Sequence, residues 1–224
     1  MSRKSILTAL VVCCFALTAV VAQAGTITIA NAGFETPPDV LDGPIKIWTV
    51  TGMTANSTGP LGGVTPFDTY MGILKSGNPS NPGSIKQTLM DGVNPYHFAA
   101  IGDSVSISLY EARRDDNAWV GHGVYIEFTN SDTTVLNTYQ STVDPGQTWT
   151  LRTLTYTATT ASDLGKDMYL TIANTTTSQS PWYDGGVLVD NVSASYTPIP
   201  EPSTLVLLAA GLVGLLCYAW RKRR

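Results

Sequence analysis

Few residues in this chain have the chemistry for catalysis. The two histidines, His97 and His122, stand apart. His122 lies in Gly121-His122-Gly123 with no second ligand at metal spacing, and His97 sits in a Pro-Tyr-His-Phe turn. No GxSxG, HExxH or phosphate-loop pattern occurs. Glycoside hydrolysis needs two facing carboxylates, and Glu111 and Glu127 are the candidates. Cys13, Cys14 and Cys217 fall in the two apolar ends, so no disulfide, thiolate zinc site or Cys nucleophile can form between them. Aromatic side chains offer a different chemistry, stacking against the apolar face of a sugar ring beside polar groups that bond its hydroxyls. Trp119, Trp182 and Tyr183 are the candidates for ligand contact. Trp119 follows the charged run Arg113-Arg-Asp-Asp-Asn117, and Trp182-Tyr183-Asp184 lies in a turn-rich segment. Trp48 and Trp149 lie on strands and read as core.

The elements that must position these groups are strands. Thr, Val, Ser, Gly and Asn abound, and no long stretch keeps apolar residues at helical spacing. Alternation marks Thr26–Ile29 and Ile45–Thr51, with Ile45, Ile47 and Thr49 on one face. It is clearest in Asp103–Tyr110, where Val105, Ile107 and Leu109 oppose Ser104, Ser106 and Ser108. Val124, Ile126 and Phe128 repeat it, as do Met168, Leu170 and Ile172. In Thr148–Ala158 the parity slips between Leu151 and Leu154, which predicts a β-bulge near Arg152-Thr153. Val187–Tyr196 closes the domain, with Leu188, Val192, Ala194 and Tyr196 expected on one face. Turn signals such as Asn81-Pro82-Gly83, Asp91-Gly92 and Asp144-Pro145-Gly146 separate the runs. There is no internal repeat. The expected fold is all-β, a two-sheet antiparallel sandwich of the jelly-roll kind over residues 25–196.

Both ends read as targeting segments. Arg3 and Lys4 precede the apolar run Ile6–Val21, and Ala22-Gln23-Ala24 fits a cleavage site, so residues 1–24 read as a signal peptide cut after Ala24. Of the 17 acidic residues only Glu201 lies outside the body, and of the 13 Lys and Arg six do, which leaves sixteen acids, seven bases and a body nine units negative. Nucleic acid needs a basic face and is not an expected partner. Residues 197–203 form a Pro-rich linker that should run extended. Thr204–Trp220 carries no charge and has the minimal length of a membrane-spanning helix. The cluster 221–224 stays cytoplasmic by the positive-inside rule, placing the body outside. Pro200 and Pro202 keep Glu201 on an extended chain just outside the lipid, where a membrane enzyme can grip it.

Pro200-Glu201-Pro202, the apolar run with Gly211 and Gly214, and the terminal basic cluster together resemble the PEP-CTERM sorting signal. That resemblance implies an exported bacterial protein handled by an exosortase-type membrane transpeptidase, with the helix as a handle. Ile29-Ala-Asn-Ala-Gly-Phe-Glu-Thr-Pro37 and Gly186-Val-Leu-Val-Asp190-Asn-Val-Ser193 resemble the opening and closing strands of galactose-binding and carbohydrate-binding-module jelly rolls. This second resemblance implies a structural Ca²⁺ with Glu35 and Asp190 as carboxylate ligands, since hard oxygen donors suit that ion. The expected protein is a non-enzymatic cell-surface or matrix component of an exopolysaccharide or biofilm, with an extracellular polysaccharide as ligand. A secreted glycan-active enzyme and a ligand-free structural protein are the alternatives.

Overall fold

A computed structural model describes residues 24–37, 45–52, 54–57, 67, 69–75, 82–113, 123–175 and 186–199, together with 210, 211, 213, 214, 217, 218 and 221. The unit Ala24–Thr197 carries the strands. In chain order these are β1 (Gly25–Ile27), β2 (Thr49–Thr51), β3 (Thr54–Ser57), β4 (Met71–Lys75), β5 (Ser84–Thr88), β6 (Met90–Asp91), β7 (Asn94–Pro95), β8 (Ser104–Arg113), β9 (Val124–Asn130), β10 (Val135–Gln140), β11 (Thr150–Thr157), β12 (Met168–Asn174) and β13 (Gly186–Thr197). A six-stranded sheet runs β11-β8-β13-β4-β3, with β1 also on β13, and a five-stranded sheet runs β10-β9-β12-β5-β2. Pairing within both is antiparallel, and β6 with β7 makes a small hairpin.

The core lies between the two sheets. Val105, Ile107 and Leu109 of β8 meet Val124, Ile126 and Phe128 of β9 and Met168, Leu170 and Ile172 of β12 in one buried cluster. These are the alternating sets read from the sequence, and the alternation exists because each strand has one face on the core. A second, smaller cluster lies on the outer face of the six-stranded sheet. It is made by Ala55, Met71, Ile73, Ala112 and Leu188, with Trp149 packed on it.

Three local expectations are corrected. Residues 150–157 pair with β8 residue for residue from Thr150↔Glu111 to Thr157↔Ser104, so there is no bulge at Arg152-Thr153. The parity slip has another cause. Arg152 occupies an inward position beside Leu154, and Leu151 faces solvent at 52 % exposure. In this sheet the register shifts in β13 instead, between Asp190 and Ser193, where Asn191 takes φ 47°. This bulge reverses the strand's parity. Val187 and Val189 face the core before it and Val192 and Ala194 after it, while Leu188 lies on the outer face. Before the bulge β13 pairs with β4, and after it with β1. Finally, Ile45–Thr51 is not one alternating strand. Only Thr49–Thr51 is extended and paired. Ile47, at φ 74° and 59 % exposed, points away from the core that holds Ile45 and Trp48.

The segment Ile29–Pro37 owes its composition to packing. Asn31, at φ 51°, organises the turn. Its carbonyl accepts from the Phe34 N–H and, at 3.3 Å, from Trp48 Nε1, while its amide donates to Lys46 O and accepts from the Thr36 N–H. Phe34 is thereby driven into the core at φ 57°, stacked 6.0 Å from Trp48. Gly72 makes room for it, since a Cβ there would stand 3.0 Å from the Phe34 ring and 3.1 Å from a Val189 methyl.

Candidate functional site

The outer face of the five-stranded sheet brings together side chains of three non-consecutive strands. Register aligns Glu127 of β9 with Thr171 of β12, and Thr171 with Lys86 of β5. Two tyrosines flank this row. Tyr125 lies two residues along β9 from Glu127, and Tyr169 two residues along β12 from Thr171. The alternation that buries Ile126, Leu170 and Ile172 turns all five side chains outward. Tyr125 donates its hydroxyl to Glu127 Oε2 at 2.7 Å, which fixes the carboxylate on the sheet. Burial, then that hydrogen bond and the charge of Glu127, push the Tyr125 phenol up to about 12, so it remains a donor at physiological pH. Lys86 Nζ lies over the Tyr169 ring at 4.8 Å from its centroid, a cation–π contact that orients both groups. The result is an open strip with an anchored acceptor, a hydroxyl and a cationic donor between two aromatic rings. Such groups hydrogen-bond vicinal hydroxyls and stack on pyranose faces.

The outer face of the six-stranded sheet differs. Across β11, β8 and β13 the register builds three rows, Thr153–Ser108–Ser193, Thr155–Ser106–Ser195 and Thr157–Ser104–Thr197, and Thr26 of β1 extends the middle one. Every position is a hydroxyl. Ser106 bonds Thr155 at 3.0 Å and Ser108 bonds Ser193 at 2.7 Å. Further along the same face the rings of Phe67 and Tyr110 lie 4.4 Å apart, with Trp149 edge-on to Phe67 at 6.4 Å. Trp149 thus belongs to the outer cluster, whereas Trp48 is in the main core.

The other candidates scatter. Trp119, Trp182, Tyr183 and His122 lie outside the described residues, as do Pro200, Glu201 and Pro202. His97 is exposed. Glu111 and Glu127 do not face one another. Glu111 points into the sandwich from β8 at 0 % exposure, accepting from Arg152 Nε at 2.6 Å and from the Val124 N–H at 2.8 Å, while Glu127 points outward from the other sheet. Glu35 clamps a neighbouring loop. Its Oε1 accepts from the N–H groups of Thr69 and Tyr70 at 3.2 and 2.8 Å, and its Oε2 from Thr69 at 3.1 Å. Asp190 is fully buried at the β13 bulge, with Oδ1 accepting the Asn191 N–H at 2.7 Å. Among the described residues no three His, Cys, Asp or Glu side chains group to hold a metal ion. Glu35 Oε2 keeps acceptor capacity beyond its one N–H contact.

The fold is an antiparallel two-sheet β-sandwich. One similar structure is a Stig cyclase, FisC, from Fischerella sp. TAU, in complex with (3Z)-3-(1-methyl-2-pyrrolidinylidene)-3H-indole. It is 20 % identical over 80 % of this chain and 100 % of that one, with a TM-score of 0.62. TmCBM61 in complex with β-1,4-galactotriose is 11 % identical over 76 % of this chain and 98 % of that one, with a TM-score of 0.46. The CBM22-1 xylan-binding domain of Paenibacillus barcinonensis Xyn10C is 13 % identical over 82 % of this chain and 100 % of that one, with a TM-score of 0.45. At these identities the likeness concerns the fold alone. No curated protein matches the sequence. Residues 198–224 match the PEP-CTERM protein-sorting motif, so the chain carries this sorting signal where its Pro-Glu-Pro, apolar run and basic cluster stand. Ala210, Gly211, Val213, Gly214, Cys217 and Tyr218 of that run are helical. Among the described residues no helix is long and apolar enough to cross a membrane.

Proposed function

We propose that this is an exported, non-enzymatic surface protein whose sandwich, a jelly roll, binds an extracellular polysaccharide. Residues 1–24 direct export. Residues 204–220 then hold the chain in the membrane while an exosortase-type transpeptidase recognises Pro200-Glu201-Pro202 and releases the body to the cell surface or matrix of a biofilm. The observation that carries this reading is the sorting motif over residues 198–224. The strip of Tyr125, Glu127, Thr171, Lys86 and Tyr169 supports the glycan ligand. The burial of Glu111 in an ion pair speaks against glycosidase chemistry, because its carboxylate cannot reach a substrate or pair with Glu127.

Two experiments test it. Glu201→Ala in the native host should leave a full-length, membrane-retained form whose C-terminus differs by mass spectrometry from that of the mature wild type. An unchanged C-terminus and location would remove the sorting reading. On a glycan array, Tyr169→Ala should abolish binding shown by the wild type, and a wild type that binds no glycan refutes the ligand. Structural calcium at Glu35 and Asp190 is a separate proposal, supported by the spare acceptor capacity of Glu35. A melting temperature unmoved by chelator and by added Ca²⁺ would dismiss it.

A further inference from the structure

We propose that the hydroxyl rows on the six-stranded sheet are a second binding surface, for packed, uncharged polysaccharide, so that the protein cross-links one glycan to another. This rests on the reading that the body meets polysaccharide outside the cell, but it concerns a different face and a different physical state of the polymer.

Three observations carry it. The first is chemical. Strands in a sheet lie about 4.8 Å apart and alternate residues about 6.7 Å apart, so the rows form a lattice periodic in two directions. Each hydroxyl offers one donor and two acceptors, and the Ser106–Thr155 and Ser108–Ser193 bonds use one donor per pair. The lattice therefore both gives and takes hydrogen bonds along its length, as the hydroxyls of a packed polysaccharide do. The second is electrostatic. No charged side chain stands in these rows, although the body is nine units negative. An anionic polymer is repelled by that field and finds no cation in these rows, whereas a neutral one meets neither penalty. The third is geometric. The opposite sheet sets the charged Glu127 and Lys86 and the rings of Tyr125 and Tyr169 among its hydroxyls, which suits one chain, while this uncharged lattice suits a surface that itself repeats in two directions. The two faces look out from opposite sides of the sandwich, so both can be occupied at once, and simultaneous engagement multiplies retention in a matrix.

The test uses full chain recovered from an exporting host, with microcrystalline cellulose and chitin powders as probes. The wild type should adsorb to at least one powder, with little dependence on salt because no ion pair is involved. Thr155→Glu with Ser195→Glu, both on exposed positions, should lower adsorption about tenfold, and Thr155→Ala with Ser195→Ala should lower it less. Circular dichroism spectra and melting should match the wild type in both. Tyr169→Ala should lose array binding yet adsorb normally. Adsorption that survives the glutamates, or that falls equally with Tyr169→Ala, overturns the proposal, as does a wild type that adsorbs to neither powder. Inhibition of ice growth lost in the same variants without adsorption also overturns it and makes ordered water the partner. A wild type that adsorbs to powder but binds nothing on the array defeats only the single-chain site.

Discussion

The ion pair at one end of the sandwich makes a quantitative prediction. Glu111 is on β8, and its two oxygens take donors from Arg152 of β11 and from the backbone of Val124, the first residue of β9 in the opposite sheet. The carboxylate thus ties the two sheets together. Arg152 Nη2 also donates to Val143 O at 3.3 Å. Arg152→Ala leaves a carboxylate of 0 % exposure with one N–H donor. Breaking a buried pair from one side costs about 3–5 kcal/mol. In a domain of this size each kcal/mol moves the melting temperature by about 2–4 °C, so the expected fall is about 6–20 °C. Replacing both groups, as Glu111→Leu with Arg152→Met, removes the stranded charge. The exchange itself is about neutral, or stabilising by about 1–4 kcal/mol, against about 1–3 kcal/mol for the Val124 N–H left unpaired. The double variant should therefore melt close to the wild type and above Arg152→Ala. Thermal melts of the three proteins, with urea unfolding at one pH, give the comparison. If Arg152→Ala melts with the wild type, or the double variant melts below it, the inward charge is not a tie between the sheets.

Other predictions follow from the same geometry. Gly72→Ala, which sets a methyl 3.0 Å from Phe34 and 3.1 Å from Val189, should cost about 1–3 kcal/mol in denaturant unfolding. A stabilised variant would mean that Phe34 does not fill this gap. Asp163 is pushed up by burial, but the N–H groups of Thr159 and Thr160 and the Tyr156 hydroxyl outweigh this and hold its carboxyl below the ordinary range. Because the folded value is depressed, its contribution is present above the unfolded carboxylate range, about pH 3.9, and disappears as pH falls through the folded value. Asp163→Asn should flatten the dependence of the urea midpoint on pH in that window, and an unchanged slope rejects the assignment. Glu35→Ala removes the acceptor for the Thr69 and Tyr70 N–H groups, so their hydrogen exchange should accelerate while that of β8 stays slow.

What the sequence reveals follows from how many strands a feature depends on. The alternation of Val105, Ile107 and Leu109 is local, needs only one buried face, and reads correctly from β8 alone. Arg152 shows the limit. An inward cation makes sense only beside Glu111, forty-one residues away, so local parity misplaces the irregularity on β11 when the bulge is on β13. Glu35 shows another limit, since its motif gives no sign of the Thr69 and Tyr70 N–H groups that its carboxylate clamps. The strip proposed to bind glycan is the extreme case. Tyr125, Lys86 and Tyr169 are ordinary strand residues in sequence, and they become a site only because β9, β12 and β5 lie side by side in that order. The sorting signal is the opposite case, a linear motif over residues 198–224 that is legible in full from consecutive residues. The sorting motif is therefore written in consecutive residues, whereas the strip proposed to bind glycan is written in the register between strands.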